Sequence, residues 1–225
     1  MKVEIHSKFF GNNQVLGRIS LAIGKGEVIA LTGPSGIGKS TLVRIFSGLD
    51  TQYAGQIAGA GKVGFVFQEP TLLPWRNLMD NIMLVTGCDA QAAKTALDQV
   101  ELGERSAGYP NQMSLGQQRR VGLARALAAN PQTLVLDEAF ASLDEATAAR
   151  MRELTQRVLD ANAFSTILVT HNLEEACELA DRVLVLDGAP ATIVLDHHIK
   201  VNRSVRNCQT ESERLRSRLN NSTSA

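Results

Sequence analysis

Cysteine is scarce in this 225-residue sequence: Cys88, Cys177 and Cys208 are odd in number, far apart and without a C-x-x-C pair. That excludes a disulfide framework and a zinc knuckle, and it fits a reducing compartment. Net charge is absent as well, because 23 Lys and Arg balance 23 Asp and Glu. No long-range field draws the chain to nucleic acid or to an acidic membrane face, so any polyanion it binds must be small and locally held. No apolar run approaches the roughly 20 residues that span a bilayer. Met1-Lys2-Val3-Glu4-Ile5-His6-Ser7-Lys8 alternates charged and apolar side chains and is expected to form a strand, not a signal peptide. If the protein works at a membrane, a partner must do the spanning. Internal repeats, long low-complexity tracts and sustained heptads are missing too. What is present is 44% hydrophobic residues, ample for a packed core.

Short runs rich in Val, Ile and Leu recur between helical patterns: Glu27 to Leu31, Lys62 to Phe67, Thr133 to Leu136, Ser165 to Thr170 and Arg182 to Leu186. Several are apolar on both faces, as parallel strands covered by helices are, which predicts an α/β fold. Val3 to Phe9 and Arg18 to Ile23 alternate more and, with Thr192 to Asp196, are expected to form a peripheral, partly antiparallel sheet. From Thr71 to Ala129 the pattern is helical (Asn77 to Val85, Ala90 to Val100, Gln117 to Ala129), with breaks at Gly87, Gly103 and Tyr109-Pro110. A helical subdomain inserted at about residues 71–129 of a domain spanning 1–198 is the expectation. Residues 199–225 are expected to be a polar, flexible tail with room for one short helix. Its excess of Lys and Arg leaves contact with anionic lipid as an alternative to plain solvation.

After the strand Glu27 to Leu31 comes Gly33-Pro34-Ser35-Gly36-Ile37-Gly38-Lys39-Ser40-Thr41, and a helical pattern follows up to Gly48. This is G-x-x-x-x-G-K-[ST] between a strand and a helix. The glycines let the backbone wrap a phosphate with its N–H groups inward, and the helix N-terminus adds its positive end. Lys39 would reach the β- and γ-phosphates and Ser40 would ligate Mg²⁺. The second signal is Thr133-Leu134-Val135-Leu136-Asp137-Glu138, a strand ending in two carboxylates where a doubly wound sheet presents its ligand site. Asp137 would hold Mg²⁺, and Glu138 would polarise the water attacking the γ-phosphate. Alone, that segment reads equally well as a strand end with two solvated acids. With the phosphate loop it becomes the hydrolytic half of a nucleoside triphosphatase.

Between these motifs lies Met113-Ser114-Leu115-Gly116-Gln117, and with it the chain resembles the ATP-binding subunits of ABC transporters over roughly residues 1–196. The family signature is L-S-G-G-Q; Leu115 in place of Gly is the departure that matters. Physically, Ser114 and Gln117 form a capping box at a helix start, a second anion-binding terminus. The resemblance implies that Ser114 and Gly116 face the γ-phosphate held by a second copy in a head-to-tail dimer. It also implies that Gln68 contacts Mg²⁺ or its water, that Ala141-Ser142-Leu143-Asp144 is the D-loop, and that His171 is the switch histidine at the γ-phosphate. Read by themselves, Gln68 precedes a turn at Pro70, Asp144 caps a helix from Glu145 to Leu159, and His171 ends a strand. Phe10 stands where the family carries an aromatic stacked on adenine; core packing is the alternative.

Leu72-Leu73-Pro74-Trp75 resembles the bacterial nitrate, sulfonate and taurine importers, in which this region receives a coupling helix of the membrane subunit, although packing within the helical subdomain explains it equally well. The expected function is therefore an ATPase at the cytoplasmic face of the inner membrane. Its partners would be a second copy, an integral permease and, indirectly, an extracytoplasmic solute-binding protein, with no nucleic acid. The rival is a soluble ABC-type ATPase acting on nucleic acid or ribosomes; such proteins usually carry coiled-coil, zinc or duplicated insertions that this sequence lacks. A P-loop small-molecule kinase would leave residues 113–117 and His171 without a role.

Overall fold

The computed structural model describes residues 1–203 and 206–222, with side chains described as far as residue 219. In chain order the first elements are strands β1 (Lys2–Phe10), β2 (Asn13–Leu16), β3 (Ile19–Ala22) and β4 (Val28–Thr32), helix α1 (Lys39–Phe46) and strands β5 (Ala54–Ala58) and β6 (Val63–Val66). Helices α2 (Leu78–Thr86), α3 (Ala90–Gln99) and α4 (Leu115–Ala128), strand β7 (Thr133–Asp137) and helix α5 (Glu145–Ala161) follow. The chain then runs through β8 (Ser165–Val169), α6 (Leu173–Leu179), β9 (Arg182–Asp187), β10 (Thr192–His198) and α7 (Cys208–Ser222). These elements form two compact units: Met1–Ala60 with the chain from Ser165 onward, and Gly61–Phe164.

In the first unit β4 lies between β8 and β9 and runs parallel to both. Every residue of β4 and β8 is buried, as strands apolar on both faces require. β10 is antiparallel to β9 and makes the edge. The alternation of Thr192 to Asp196 suggested a place with the N-terminal strands; the short link from β9 makes a hairpin the available pairing instead. The start of that hairpin still meets the N-terminal strands through a bridge between Leu16 and Ala191. β1 pairs antiparallel with β2, β3 and β5, burying Val3 and Ile5 on one face. A register shift between Lys8 and Phe9 interrupts the β1–β2 ladder. Lys8 is buried, with its ammonium 2.7 Å from Asp50 and donating to the Gln52 carbonyl.

The stretch expected to be a tail contains α7, which packs on α6 and β10. Its Glu211, Ser212 and Leu215 are buried. The buried Arg206 donates to the Cys177 and Ala180 carbonyls at the end of α6, which explains why a polar segment is held. Residues 204–205 and 223–225 of that stretch lie outside the described residues.

In the second unit β6 and β7 are parallel, with Val66 opposite Leu136. α4 is the hub: it packs on α2, α3, α5 and β6, and Gly116, Arg119 and every residue from Val121 to Leu127 are buried. Gly122, Ala124 and Ala126 keep its surface shallow enough for neighbours on all sides. Asn81, fully buried on α2, accepts from the Leu73 amide at 2.7 Å and donates to the carbonyls of Leu73, Arg76 and Asn77. It fixes the loop before α2 and leaves Trp75, 69% exposed, on the outside.

Candidate functional site

In the first unit β4 stops at Thr32 and the chain turns sharply into α1. Gly33 has a φ of +141°, and a Cβ there would stand 2.3 Å from the Leu186 carbonyl oxygen, so no other residue fits. Gly38 caps α1 without a side-chain hydrogen bond, so the first amides of the helix remain to be met by something other than a cap. Lys39, 6% exposed, bends back over the loop and donates to the carbonyls of Gly33 at 2.9 Å and Pro34 at 2.8 Å. Its ammonium is thus held inside the curve of the loop. Pro34, Ser35, Gly36 and Ser40 are exposed, while Ile37, Gly38 and Thr41 are half-buried.

His171 follows β8 and is exposed. The turn behind it is braced: Thr170 donates to Glu175 at 2.6 Å and accepts from the Asn172 amide, and Asn172 caps α6. Gly33, Pro34, Ser35 and His171 line one cavity of about 490 Å³. The structure therefore brings His171 and the phosphate loop together. Phe10 is exposed, which excludes the core-packing alternative, and the Lys8 ammonium lies 4.6 Å from its ring centroid. Its strand partner β2 reaches the loop, since Leu16 and Val15 are the side chains nearest Gly38.

In the second unit Gln68 and Glu138 each stand two residues beyond the registered pair Val66 and Leu136, at the same end of parallel strands. Gln68 is exposed; Asp137 and Glu138 are half-buried. Glu138 has a φ of +48°, a left-handed conformation that a side-chain-bearing residue adopts only under constraint. Arg119 on α4 reaches this turn and donates to the carbonyls of Ala139 at 2.7 Å and Glu138 at 3.4 Å. Six residues on, Arg125 donates to the Pro70 and Thr71 carbonyls and to the Thr71 hydroxyl, just past Gln68. Neither arginine was singled out in the sequence. For Arg125 the available signal was a guanidinium in a run of small and apolar residues; Arg119, between Gln118 and Arg120, carried none.

The capping box expected at residues 114–117 is present: Ser114 Oγ accepts from the Gln117 amide at 3.3 Å and Gln117 Oε1 from the Ser114 amide at 3.1 Å. Leu115 is 43% exposed, so it points away from the packed side of the helix start. Gly116 is the tight position, where a Cβ would meet Thr147 at 2.5 Å. Ser114, Gly116 and Gln117 share a cavity of about 870 Å³ with Arg105, Arg120 and Arg157. Asp144 caps α5; hydrogen bonds from Thr147 hold its carboxyl below the usual carboxylate range.

The family model of ABC transporters matches residues 16–141. This chain belongs to the ABC transporter ATP-binding family. As an ABC ATPase it is 40% identical over 219 residues to the aliphatic sulfonates import ATP-binding protein SsuB 1 of Xanthomonas axonopodis pv. citri, covering 90% of this chain and 87% of the relative. It is 44% identical over 194 residues to the protein of the same description in Rhizobium johnstonii, covering 80% of this chain and 70% of the relative. Among solved structures, the dimeric ATP-binding cassette MJ0796 in a post-hydrolysis state with ADP and Pi superposes with a TM-score of 0.76 at 26% identity, covering 90% of this ABC chain and 100% of that one. Among the described residues, no helix of this ABC ATPase is long and apolar enough to cross a membrane.

Proposed function

We propose that this chain is the ATP-hydrolysing subunit of a bacterial importer of small anions such as nitrate, sulfonate or taurine, with aliphatic sulfonates, the class to which taurine belongs, favoured over nitrate. The observation that carries the solute class is the shared description of the relatives over most of their length. Two copies pair head to tail around two ATP molecules at the cytoplasmic face of the inner membrane. A separate permease does the spanning, and an extracytoplasmic solute-binding protein delivers the solute to it. The exposed Trp75, Leu84 and Val85 in and behind the loop before α2 support the permease contact, because an indole and two aliphatic side chains left in solvent suit a protein partner.

Lys39, the loop amides of residues 33–38 and the start of α1 at Ser40 and Thr41 hold the β- and γ-phosphates. Phe10 stacks on the base, and Asp144 and His171 line the γ-phosphate end. Ser114, Gly116 and Gln117 meet the nucleotide of the other copy. Ser40, Gln68 and Asp137 offer hydroxyl, amide and carboxylate oxygens, the hard donors that Mg²⁺ takes together with phosphate oxygens. Among the described residues no group of three or more His, Cys, Asp or Glu is placed to hold a metal ion. When bound, the ion offsets phosphate charge. Glu138 accepts the proton of the attacking water, and closure followed by hydrolysis drives the transport stroke.

The test is recovery of the protein from its native cells in mild detergent, together with uptake of labelled ethanesulfonate, taurine and nitrate by cells carrying the parent or Glu138→Gln. A multi-spanning partner in stoichiometric amount and a loss of ethanesulfonate uptake in the variant are expected. Recovery with soluble protein or nucleic acid alone moves the reading to a soluble ABC-type ATPase. Loss of nitrate uptake alone reassigns the solute, and loss of taurine uptake alone narrows it to amino-substituted sulfonates.

A further inference from the structure

α4 carries two arginines on its buried faces: Arg119 donates to backbone carbonyls alone, and Arg125 to two carbonyls and the Thr71 hydroxyl. Arg119 is 4% exposed, and its Nη1 donates to two consecutive carbonyls, those of Glu138 and Ala139, while its Nε makes no hydrogen bond. Burial pushes the guanidinium pKa down, a sign that the charged form is not at ease there. A buried cation that meets only carbonyl dipoles is poorer packing than a methionine of similar volume. What it supplies that a methionine cannot is restraint of the two peptide planes that follow Glu138. The Glu138 carbonyl also accepts from the Ala141 amide at 3.1 Å, so the turn is tied from inside and from α4.

The same device appears a second time. Thr71 has a φ of +46°, and Arg125 holds its carbonyl, its hydroxyl and the carbonyl before it. Two left-handed, side-chain-bearing turns, one just past Gln68 and one at Glu138, are therefore each gripped by an arginine of the helix that opens at Ser114. A left-handed glutamate persists only where its surroundings over-determine it. At Glu138 the over-determining group is Arg119.

We infer that Arg119 is a positioning residue for Glu138: its guanidinium fixes the Glu138 and Ala139 carbonyls and thereby sets the direction of the carboxylate. This rests on the reading of Glu138 as the base that activates water. Because one nitrogen makes both contacts, a lysine ammonium can take its place, whereas a methionine fills the volume and holds nothing, and a glutamine falls short of the second carbonyl.

The experiment measures kcat and KM for ATP, ATP affinity, ATP-dependent dimerisation and melting temperature of the full chain as parent, Arg119→Met, Arg119→Gln, Arg119→Lys and Glu138→Gln. For Arg119→Met we expect kcat to fall roughly tenfold to a hundredfold, the loss that a small misplacement of a catalytic group produces, with KM and affinity within about twofold and the dimer retained. Arg119→Lys should return to within about threefold of the parent, and Arg119→Gln should fall between the two. If Arg119→Met does not fold, the Gln and Lys variants decide by their order. The proposal is overturned if Arg119→Met, or in its absence Arg119→Gln, keeps kcat within about twofold of the parent while Glu138→Gln is inactive. It is also overturned if kcat, affinity and melting temperature fall together in Met, Gln and Lys alike, which marks a packing role. Parental turnover by Glu138→Gln is a different failure, that of the reading beneath it.

Discussion

In the phosphate loop the backbone turns left-handed at Gly33, Gly36 and Gly38, whereas in the turn that follows β7 it does so at Glu138 and Ser142, which carry side chains. The first turn is shaped from within: glycine has no Cβ to obstruct the path, and Lys39 closes the curve on the loop's own carbonyls. The second is shaped from outside, by Arg119 reaching in from α4. A loop that needs only its own residues can be recognised from a string of them. A turn whose carbonyls are held by a residue nineteen positions upstream of Glu138 cannot.

The comparison breaks most violently at Gly33. Gly33→Ala drives a Cβ against the Leu186 carbonyl, and backbone on both sides leaves little room to give. We expect a loss of stability of roughly 3 kcal/mol or more and no measurable ATP binding, read by chemical denaturation and fluorescent-nucleotide titration. The outside-imposed turn predicts something subtler, because Glu138→Gly and Glu138→Ala both remove the carboxylate but only glycine is at ease at this φ. Glycine should be the more stable of the two by about 1 kcal/mol, measured by denaturant midpoints at constant slope. Equal stabilities would show that the turn is unstrained. At the far end of the same turn Asp144 caps α5. Asp144→Ala should lower the melting temperature and Asp144→Asn should lower it much less, checked by thermal melts.

The smallest effect distinguishes the braces by acidity. Lys8 holds the Asp50 carboxyl below the usual carboxylate range, chiefly through its hydrogen bond. A carboxyl whose folded pKa is depressed stabilises the fold above its unfolded value of about 3.9, and that contribution is lost as pH falls through the folded pKa. Asp50→Asn should therefore be less stable than the parent by no more than about 1 kcal/mol at pH 7, with the gap closing in acid. The carbonyls that Arg119 holds do not titrate, so the contacts from Arg119 to the turn have no counterpart of this effect.

The strands read from apolar runs stand within a residue or two of their places because burial on both faces leaves a continuous signal. β2 and β5 escaped because Asn13–Leu16 and Ala54–Ala58 are short and carry little alternation; pairing with β1 makes them strands. α7 was foreseen only as room for one short helix because its sequence is polar almost throughout, and its seat is decided by Leu215 and by Arg206 outside the helix. The capping box and the cap at Asp144 were legible because each lies within four residues of its partner. Arg119 and Arg125 were not, since a residue's name says nothing of which distant carbonyl it will meet.

A helix wrapped on every side leaves its lineage few places to wander, and α4 shows where they are. Position 115 opens to solvent, so a leucine there in place of the family's glycine meets little resistance. Position 113 is covered, and methionine for leucine exchanges one apolar side chain for another of similar volume. Position 116 can change only in company, because any side chain there must first be granted room by residue 147. The signature segment of this chain is thus open at residue 115, covered at residue 113 and tight against Thr147 at residue 116.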